Sequence, residues 1–404
     1  MISFHFPPIA SSSGFLRSLK FAQYFDKSAF NVSLITATQG AYEKTDEKNL
    51  RLLDNADFAI HRALALDASR HLSIKGKYFG FMTWPDKWSS WVPFGLIKGL
   101  YVAWSQRSDV IWVTFPISSA LLIGMVIAKL TKKPLIVDLR DPIWEEETWQ
   151  NNRRQRILKR LEKRVLIQAE YIIFTSPGTI EKYRHRYPQL IEKKAELILN
   201  GYDEADFSGL IAKCQNNGKR VFLHSGLIPV YERDPSAFFM AIAELKKEGI
   251  VNAKNHEFRL RACGNEAQYI AMTAELGIDE LVTFPGPLPY NEALAEMLGA
   301  DALMIFQAST CNWQIPAKLF EYFRAEKPIL AWTDEQGDTA QLIRKVTTAW
   351  TIAPLTDSHR IAHSLTDFIR QDKWIAQTDD IHSYSRENLT RQLAKLIKSA
   401  AKHN

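Results

Sequence analysis

Cysteine is scarce in this 404-residue sequence: Cys214, Cys263 and Cys311 lie far apart, with no CxxC pair and no histidine-rich spacing. That pattern gives neither a disulfide framework nor a zinc site, and it reads as a chain from a reducing compartment. There is no GxGxxG fingerprint, no low-complexity segment and no short-period repeat. No metal-ligand cluster stands out, so neither a metal nor a cofactor is expected. Long hydrophobic runs are missing as well. The longest, "ALLIGMVIA" at Ala120 to Ala128, falls well short of the about 20 residues that cross a bilayer. "ISFHFPP" after Met1 lacks a basic start and a long apolar core, so no secretory signal is expected. These absences predict a soluble or peripheral protein.

What is present is a hydrophobic content of 46%, enough over this length for two domains with separate cores. The net charge of +6 admits nucleic acid, anionic lipid or phosphorylated ligands. The basic residues are dispersed and match no nucleic-acid motif, so no nucleic-acid partner is expected. Strand-like apolar runs alternate with helical ones: "ISFHF", "NVSLIT", "VIWVTF", "PLIVDL" and "YIIFTS", then, after "LILNGYDEADF", "RVFLHSG", "FRLRACG", "LVTFPG", "ALMIFQ", "PILAWT" and "AWTIAP". Such alternation predicts an α/β protein of two doubly wound parallel-sheet units joined near Asn200, with a ligand between them. "YSRENLTRQLAKLIKSAAKHN" reads as a terminal amphipathic helix.

In parallel sheets the loops at the carboxyl ends of strands carry the chemistry. In "FPPIASSSGFLR", Gly14 opens a helix whose free N–H groups face an anion, with Arg17 one turn in; the plain alternative is a turn glycine. In "VDLRDPIW", Asp138, Arg140 and Asp141 follow an apolar run and either orient a hydroxyl-bearing substrate or neutralise one another. In "HSGLIPVYERDPSAF", Gly226 permits close backbone approach, and Arg233 is expected just before a helix start, a placement that an anionic ligand would explain. Gly264 and Gly286 end consecutive strands. Finally "QIPAKLFEYFRAEKPIL" predicts a helix starting at Pro316. Its free N–H groups and Lys318 suit phosphate, and Glu321, three residues on, suits the two hydroxyls of a ribose. A solvated ion pair is the alternative.

Taken in order, "FPPIASSSGFLRSLKFAQYF", "IVDLRDP", "AEYIIFTSPG", "LILNGYD", "HSGLIPVYERDP" and "PAKLFEYFRAEKPIL" resemble the GT-B-fold retaining glycosyltransferases of group 1, or family 4, in the branch that assembles surface polysaccharides. The resemblance covers nearly the whole chain. It implies two Rossmann-like domains facing a central cleft, residues 1–199 for the acceptor and 200–384 for the donor, with a helix at about 385–404 packing back on the first. It implies transfer from a UDP- or GDP-sugar to a glycan or lipid-linked acceptor by a cytoplasmic enzyme, peripheral at the inner face of the membrane. By position, Glu321 matches the ribose-binding glutamate, Arg233 and Lys318 match donor-phosphate cations, and Gly14 matches the glycine of the first loop. Gly226, Gly264, Gly286 and Pro316 complete the donor side. Arg17, Asp138, Arg140 and Asp141 fall on the acceptor side, and Arg233, Lys318 and Asp141 would carry the chemistry. Two positions depart from the pattern: Trp313 stands where the first motif glutamate falls, and Leu227 replaces a common basic residue. A nucleotide-sugar epimerase of the same architecture and a non-catalytic binding protein are the competing readings.

"TWPDKWSSWVPFGLIKGLYVAW", Thr83 to Trp104, holds four tryptophans and two lysines. Its composition fits an anionic membrane interface, and its helical spacings fit core packing equally.

Overall fold

The computed structural model describes residues 1–10, 14–54, 56–145, 153–213, 218–371 and 380–402. It divides into two compact units, Met1–Leu199 with Arg386–Asn404, and Asn200–Ser385. Each is a parallel sheet with helices, and each has its own core.

In the first unit the chain runs α1 (Phe15–Tyr24), β1 (Ser33–Ala37), β2 (Ala59–Ala63), α2 (Ala68–His71), α3 (Trp91–Ser105), β3 (Ile111–Thr114), α4 (Ser118–Thr131), β4 (Leu135–Leu139), α5 (Arg153–Gln168), β5 (Tyr171–Phe174), α6 (Pro177–Arg186), α7 (Pro188–Ile191) and β6 (Ala195–Leu197). Strands β3, β4, β5 and β6 pair in that order, and β1 pairs with β2. The expected strand "ISFHF" contracts to bridges at Ile2, which join these two parts. The Ile2 N–H donates to the Trp112 carbonyl at 2.9 Å, while Ser3 donates to the Ile35 carbonyl at 3.1 Å. Strands β3 and β4 are buried along their whole length, which is why they read as unbroken apolar runs.

The region rich in tryptophan is part buried and part exposed. Trp91 is buried and Trp84 and Trp88 are half-buried, whereas Trp104 is exposed. Helix α3 lies close on α4: a Cβ at Gly95 or Gly99 would come within 2.5 or 2.3 Å of the Ile123 or Ile127 Cδ1.

The second unit continues α8 (Glu204–Phe207), β7 (Arg220–Ser225), α9 (Val230–Arg233), α10 (Ser236–Lys247), β8 (His256–Arg261), α11 (Glu266–Glu275), β9 (Val282–Thr283), α12 (Tyr290–Gly299), β10 (Ala302–Phe306), α13 (Lys318–Arg324), β11 (Ile329–Trp332), α14 (Asp338–Val346), β12 (Trp350–Ala353) and α15 (Ser358–Arg370). Its sheet order is β12-β11-β10-β7-β8-β9. The chain then returns to the first unit as α16 (Arg386–Lys402). There Leu389, Leu393 and Ala400 join Phe21 of α1 and Phe25 just after it in a cluster with Trp112, Ile136 and Ile173.

Candidate functional site

The strand order of the second unit turns at β7, which pairs with β8 on one side and β10 on the other. The connections leaving β7 and β10 diverge to opposite sides, and the crevice at such a switch point is where doubly wound sheets bind ligands. Four residues meet there. His224, the penultimate residue of β7, is buried, and its Nδ1 lies 2.8 Å from the Met304 carbonyl of β10. A carbonyl only accepts, so Nδ1 carries the proton and Nε2 presents a bare lone pair. Lys318 donates its ammonium to that lone pair at 3.1 Å. The same Nζ stands 3.0 Å from where a Cβ would sit on Gly226, whose φ is +104°. No other residue type fits at Gly226 without both backbone strain and displacement of the lysine. The fourth residue, Arg233, donates to the Leu227 carbonyl at 3.1 Å.

Charge tunes this cluster. Burial foremost, then the positive charge of Arg233, pushes Lys318 down to about 7, against the pull of Glu321. Burial and then the Lys318 charge hold His224 well below the ordinary histidine range, so it stays neutral. The lysine is an ammonium short of counter-charge, a group that gains from an incoming anion.

One expectation about this region changes. The helix of the opening motif begins at Lys318, with Pro316 outside it. The Leu319 and Phe320 N–H groups are taken by the Pro316 and Ala317 carbonyls. The motif therefore offers an anion the Lys318 ammonium rather than a row of free helix N–H groups. Arg233 does stand just before a helix, α10 from Ser236, and it also ends the short α9, where a cation suits the dipole. Its claim to the site rests on its charge near Lys318, not on helix polarity.

Glu321 accepts a 2.7 Å hydrogen bond from the Tyr290 hydroxyl at the start of α12. The neighbouring Tyr322 is buried and its hydroxyl accepts from the Ser225 N–H at 3.0 Å, which ties α13 to the end of β7. Gly264 has φ +68°, and a Cβ there would come within 3.2 Å of Leu227 Cδ2, so the position suits glycine. Gly286 has open space where its side chain would be and contributes its carbonyl, which accepts from Arg261 at 2.7 Å. Trp313 turns its indole N–H onto its own loop, to the Thr310 carbonyl at 3.1 Å.

In the first unit the acceptor-side residues separate. Arg17 and Asp138 are 1% and 0% exposed and form a closed pair, with Nη2 to Oδ1 at 2.9 Å. The remaining guanidinium N–H groups reach the Leu199 and Ile198 carbonyls at 2.7 and 2.9 Å, and Thr114 Oγ1 donates to Asp138 Oδ2 at 3.1 Å. Both are thus structural, which corrects the expectation that they contact an acceptor. Arg140 donates to the Phe115 carbonyl at 2.7 Å and to the Gly14 carbonyl. It clasps the start of α1 to the end of β3, so it too is spent on the fold. Gly14 sits at that start in ordinary right-handed conformation, and the three serines before it lie outside the described residues.

Asp141 is the member of the motif that keeps solvent contact. Desolvation by the surrounding protein raises its carboxyl above the usual range despite the attraction of Arg140. The loop that bears it is held from behind. Trp144 Nε1 and Tyr183 Oη donate to the two oxygens of buried Glu162 at 2.7 and 2.6 Å, and the Arg186 guanidinium stacks 4.0 Å from the Trp144 ring centre. The sequence reading passed over His5, which follows the Ile2 bridge. Its Nδ1 is buried without a hydrogen-bond partner, and burial and then the charge of Arg140 push its pKa down to about 4.

Among the described residues no cluster of three metal-ligating side chains occurs, and no helix is long and apolar enough to cross a membrane. No protein-family model matches the chain, and no curated protein sequence matches it. Solved structures do. HepE of Anabaena, in complex with UDP and glucose, is 14% identical, covers 98% of both chains and superposes with a TM-score of 0.65. The lipopolysaccharide outer core galactosyltransferase WaaB, in its apo form, is 13% identical over 98% of both chains with a TM-score of 0.62. A Listeria monocytogenes protein assigned as a UDP-N-acetylglucosamine 2-epimerase is 12% identical over 100% of this chain and 96% of that one, with a TM-score of 0.60. Two parallel-sheet units and full-length superposition on these structures make the chain a GT-B fold.

Proposed function

We propose that this chain is a retaining glycosyltransferase that moves a sugar from a nucleotide diphosphate donor to a membrane-presented glycan during assembly of cell-surface polysaccharide. The observation that carries the reading is the cluster of Lys318, His224, Gly226 and Arg233 at the switch point of the second unit. A buried, under-neutralised ammonium opposite a side-chain-free backbone position suits a diphosphate. Glu321 and Tyr290, three residues along α13 and at the start of α12, then suit the ribose. The neighbour HepE was solved with UDP and with UDP-glucose, which makes UDP the first donor base to test, before GDP.

In this mechanism the glycosidic bond to the diphosphate breaks while the acceptor oxygen forms the new bond on the same face. Charge accumulates on the departing phosphate, and Lys318 and Arg233 stabilise it more in the transition state than in the ground state. The acceptor proton goes to the leaving phosphate, with Asp141 orienting the acceptor hydroxyl. These residues need neither a metal nor a protein nucleophile for that sequence.

Calorimetric titration with UDP, GDP and their monophosphates tests the donor site. One nucleoside diphosphate should bind, and Lys318→Ala and Glu321→Ala should each weaken it about tenfold or more, since a hydrogen bond to a charged group is worth about 1.5–3 kcal/mol. Wild-type affinity in both variants would remove the assignment. The epimerase reading has one specific support, the Listeria neighbour. Conversion of a UDP-sugar to its epimer without any acceptor would establish it instead.

A further inference from the structure

Helix α3 has two unlike faces. The inner one, Trp91, Gly95, Gly99 and Val102, is buried. The outer one presents Phe94, Ile97, Tyr101 and Trp104, spaced three, four and three residues apart and so aligned in a stripe; Ile97 is 70% exposed and Trp104 60%. Just before α3 the chain makes a tight reversal in which Ile74 bridges Lys77, with Lys75 and Gly76 in left-handed conformation at its tip. Ile74 there is 80% exposed. Phe79 and Phe81 follow, both exposed, their rings stacked on one another at 5.8 Å. Large apolar side chains standing this far into water, in a helix stripe and in a loop, are a surface that awaits cover.

Charge identifies the cover. The cations Lys75, Lys77, Lys98 and Arg107 of the same segment are exposed. From Leu64 to Arg107 the carboxylates are Asp67 and Asp86, and both are buried. Asp86 accepts from the Ser119 N–H and hydroxyl at 2.6 and 2.9 Å, and Asp67 pairs with Lys87 at 2.8 Å. The segment from Leu64 to Arg107 therefore carries exposed positive charge with no exposed carboxylate of its own, the next one along the chain being Asp109. Aromatic and aliphatic side chains that outnumber the interspersed lysines fit the headgroup boundary of an anionic bilayer. A nucleic-acid groove would reverse that ratio.

We infer that the outer face of α3 and the Ile74 to Phe81 loop form a docking surface for an anionic lipid bilayer. The inference rests on the proposed transferase for its purpose, bringing the acceptor-side unit to a membrane-presented glycan, while its physical basis is the face itself. Attachment is reversible, through shallow insertion of Phe79, Phe81, Ile97 and Trp104 and attraction of the cations.

The test is co-sedimentation of the full chain with vesicles of phosphatidylglycerol and phosphatidylcholine, against phosphatidylcholine alone, at low salt and in 0.5 M salt. The wild type should partition onto the anionic vesicles and be released by salt. The pair Ile97→Ser with Trp104→Ser should lose at least tenfold in partitioning. Lys75→Glu, Lys77→Glu and Lys98→Glu together should lose about a hundredfold or more, at about fivefold per basic residue. All these variants should keep wild-type UDP affinity by calorimetry, which shows that they are folded. Failure of the wild type to bind either vesicle, equal binding to both, or undiminished binding by the variants each overturns the inference. So does a wild-type oligomer that the variants dissociate in light scattering without any vesicle binding, which would give the face to a second copy. Vesicle binding that persists while no nucleoside diphosphate binds would defeat the donor reading alone.

Discussion

Replacing Asp138 with asparagine removes the counter-charge of Arg17 while leaving the guanidinium sealed in the core. Breaking one side of a buried pair costs about 3–5 kcal/mol. Asp138→Asn should accordingly lower the urea midpoint of unfolding, and a variant of full stability with weakened acceptor use would restore the binding role instead. Lys318 makes a different prediction. Unliganded, it titrates near 7; a bound diphosphate favours the ammonium and holds its proton to higher pH. Nucleoside diphosphate affinity should be full below pH 7 and fall as pH rises from 7 to 9, by at most tenfold per unit. Lys318→Ala should flatten that slope, and calorimetry in buffers of different ionisation enthalpy should show proton uptake at pH 8 in the wild type alone. Lys318 and Gly226 could be named from sequence because each follows a strand and sits in a recognisable motif. His224 could not, since its role arises only when the end of β7 meets a β10 carbonyl. Arg17 and Asp138 misled for the same reason: they stand 121 residues apart, and nothing local tells a charge facing its partner from one facing a ligand.

At the scale of elements, buried strands were legible, as were the edge strands β9 and β12, whereas the edge strands β2 and β6 were not. β3, β4, β10 and β11 are buried throughout and announce themselves as apolar runs. β2, "AIHRA", and β6, "AEL", are partly exposed at the sheet edges, and their mixed composition carries no period to read. The start of α13 was misplaced because proline marks a first turn without distinguishing the helix from the turn before it. The tryptophan-rich segment was ambiguous for a sharper reason: one helix both packs and protrudes. Gly99 measures the packing half. A leucine there would drive its side chain into Ile127, whose Cδ1 already lies 2.3 Å from the bare Cβ position. Overpacking of this kind costs about 1–3 kcal/mol, so Gly99→Leu should lower thermal stability, whereas Tyr101→Ser on the opposite face should leave it within about 0.5 kcal/mol.

For the whole molecule, the two units differ in how the chain supplies them. Asn200–Ser385 is continuous, with its own sheet and core. Expressed alone, it should unfold in a cooperative transition by circular dichroism. Met1–Leu199 expressed alone lacks α16, which leaves Phe21, Trp112 and Ile173 without Leu389 and Leu393. It should bind a hydrophobic dye and melt broadly, and adding residues 386–404 as a peptide should restore a sharp transition. A sharp transition without the peptide would show that α16 is dispensable.

That return of the chain also sets an order of events during synthesis. The helix that closes the first unit is made only after all of the second unit has been translated. At about 5–20 residues per second, the face of α1 and the strands beneath it wait about 10–40 s for their cover. During that interval the nascent first unit presents an apolar surface that a chaperone would recognise, so the continuous second unit can reach its final form before the one that emerged first.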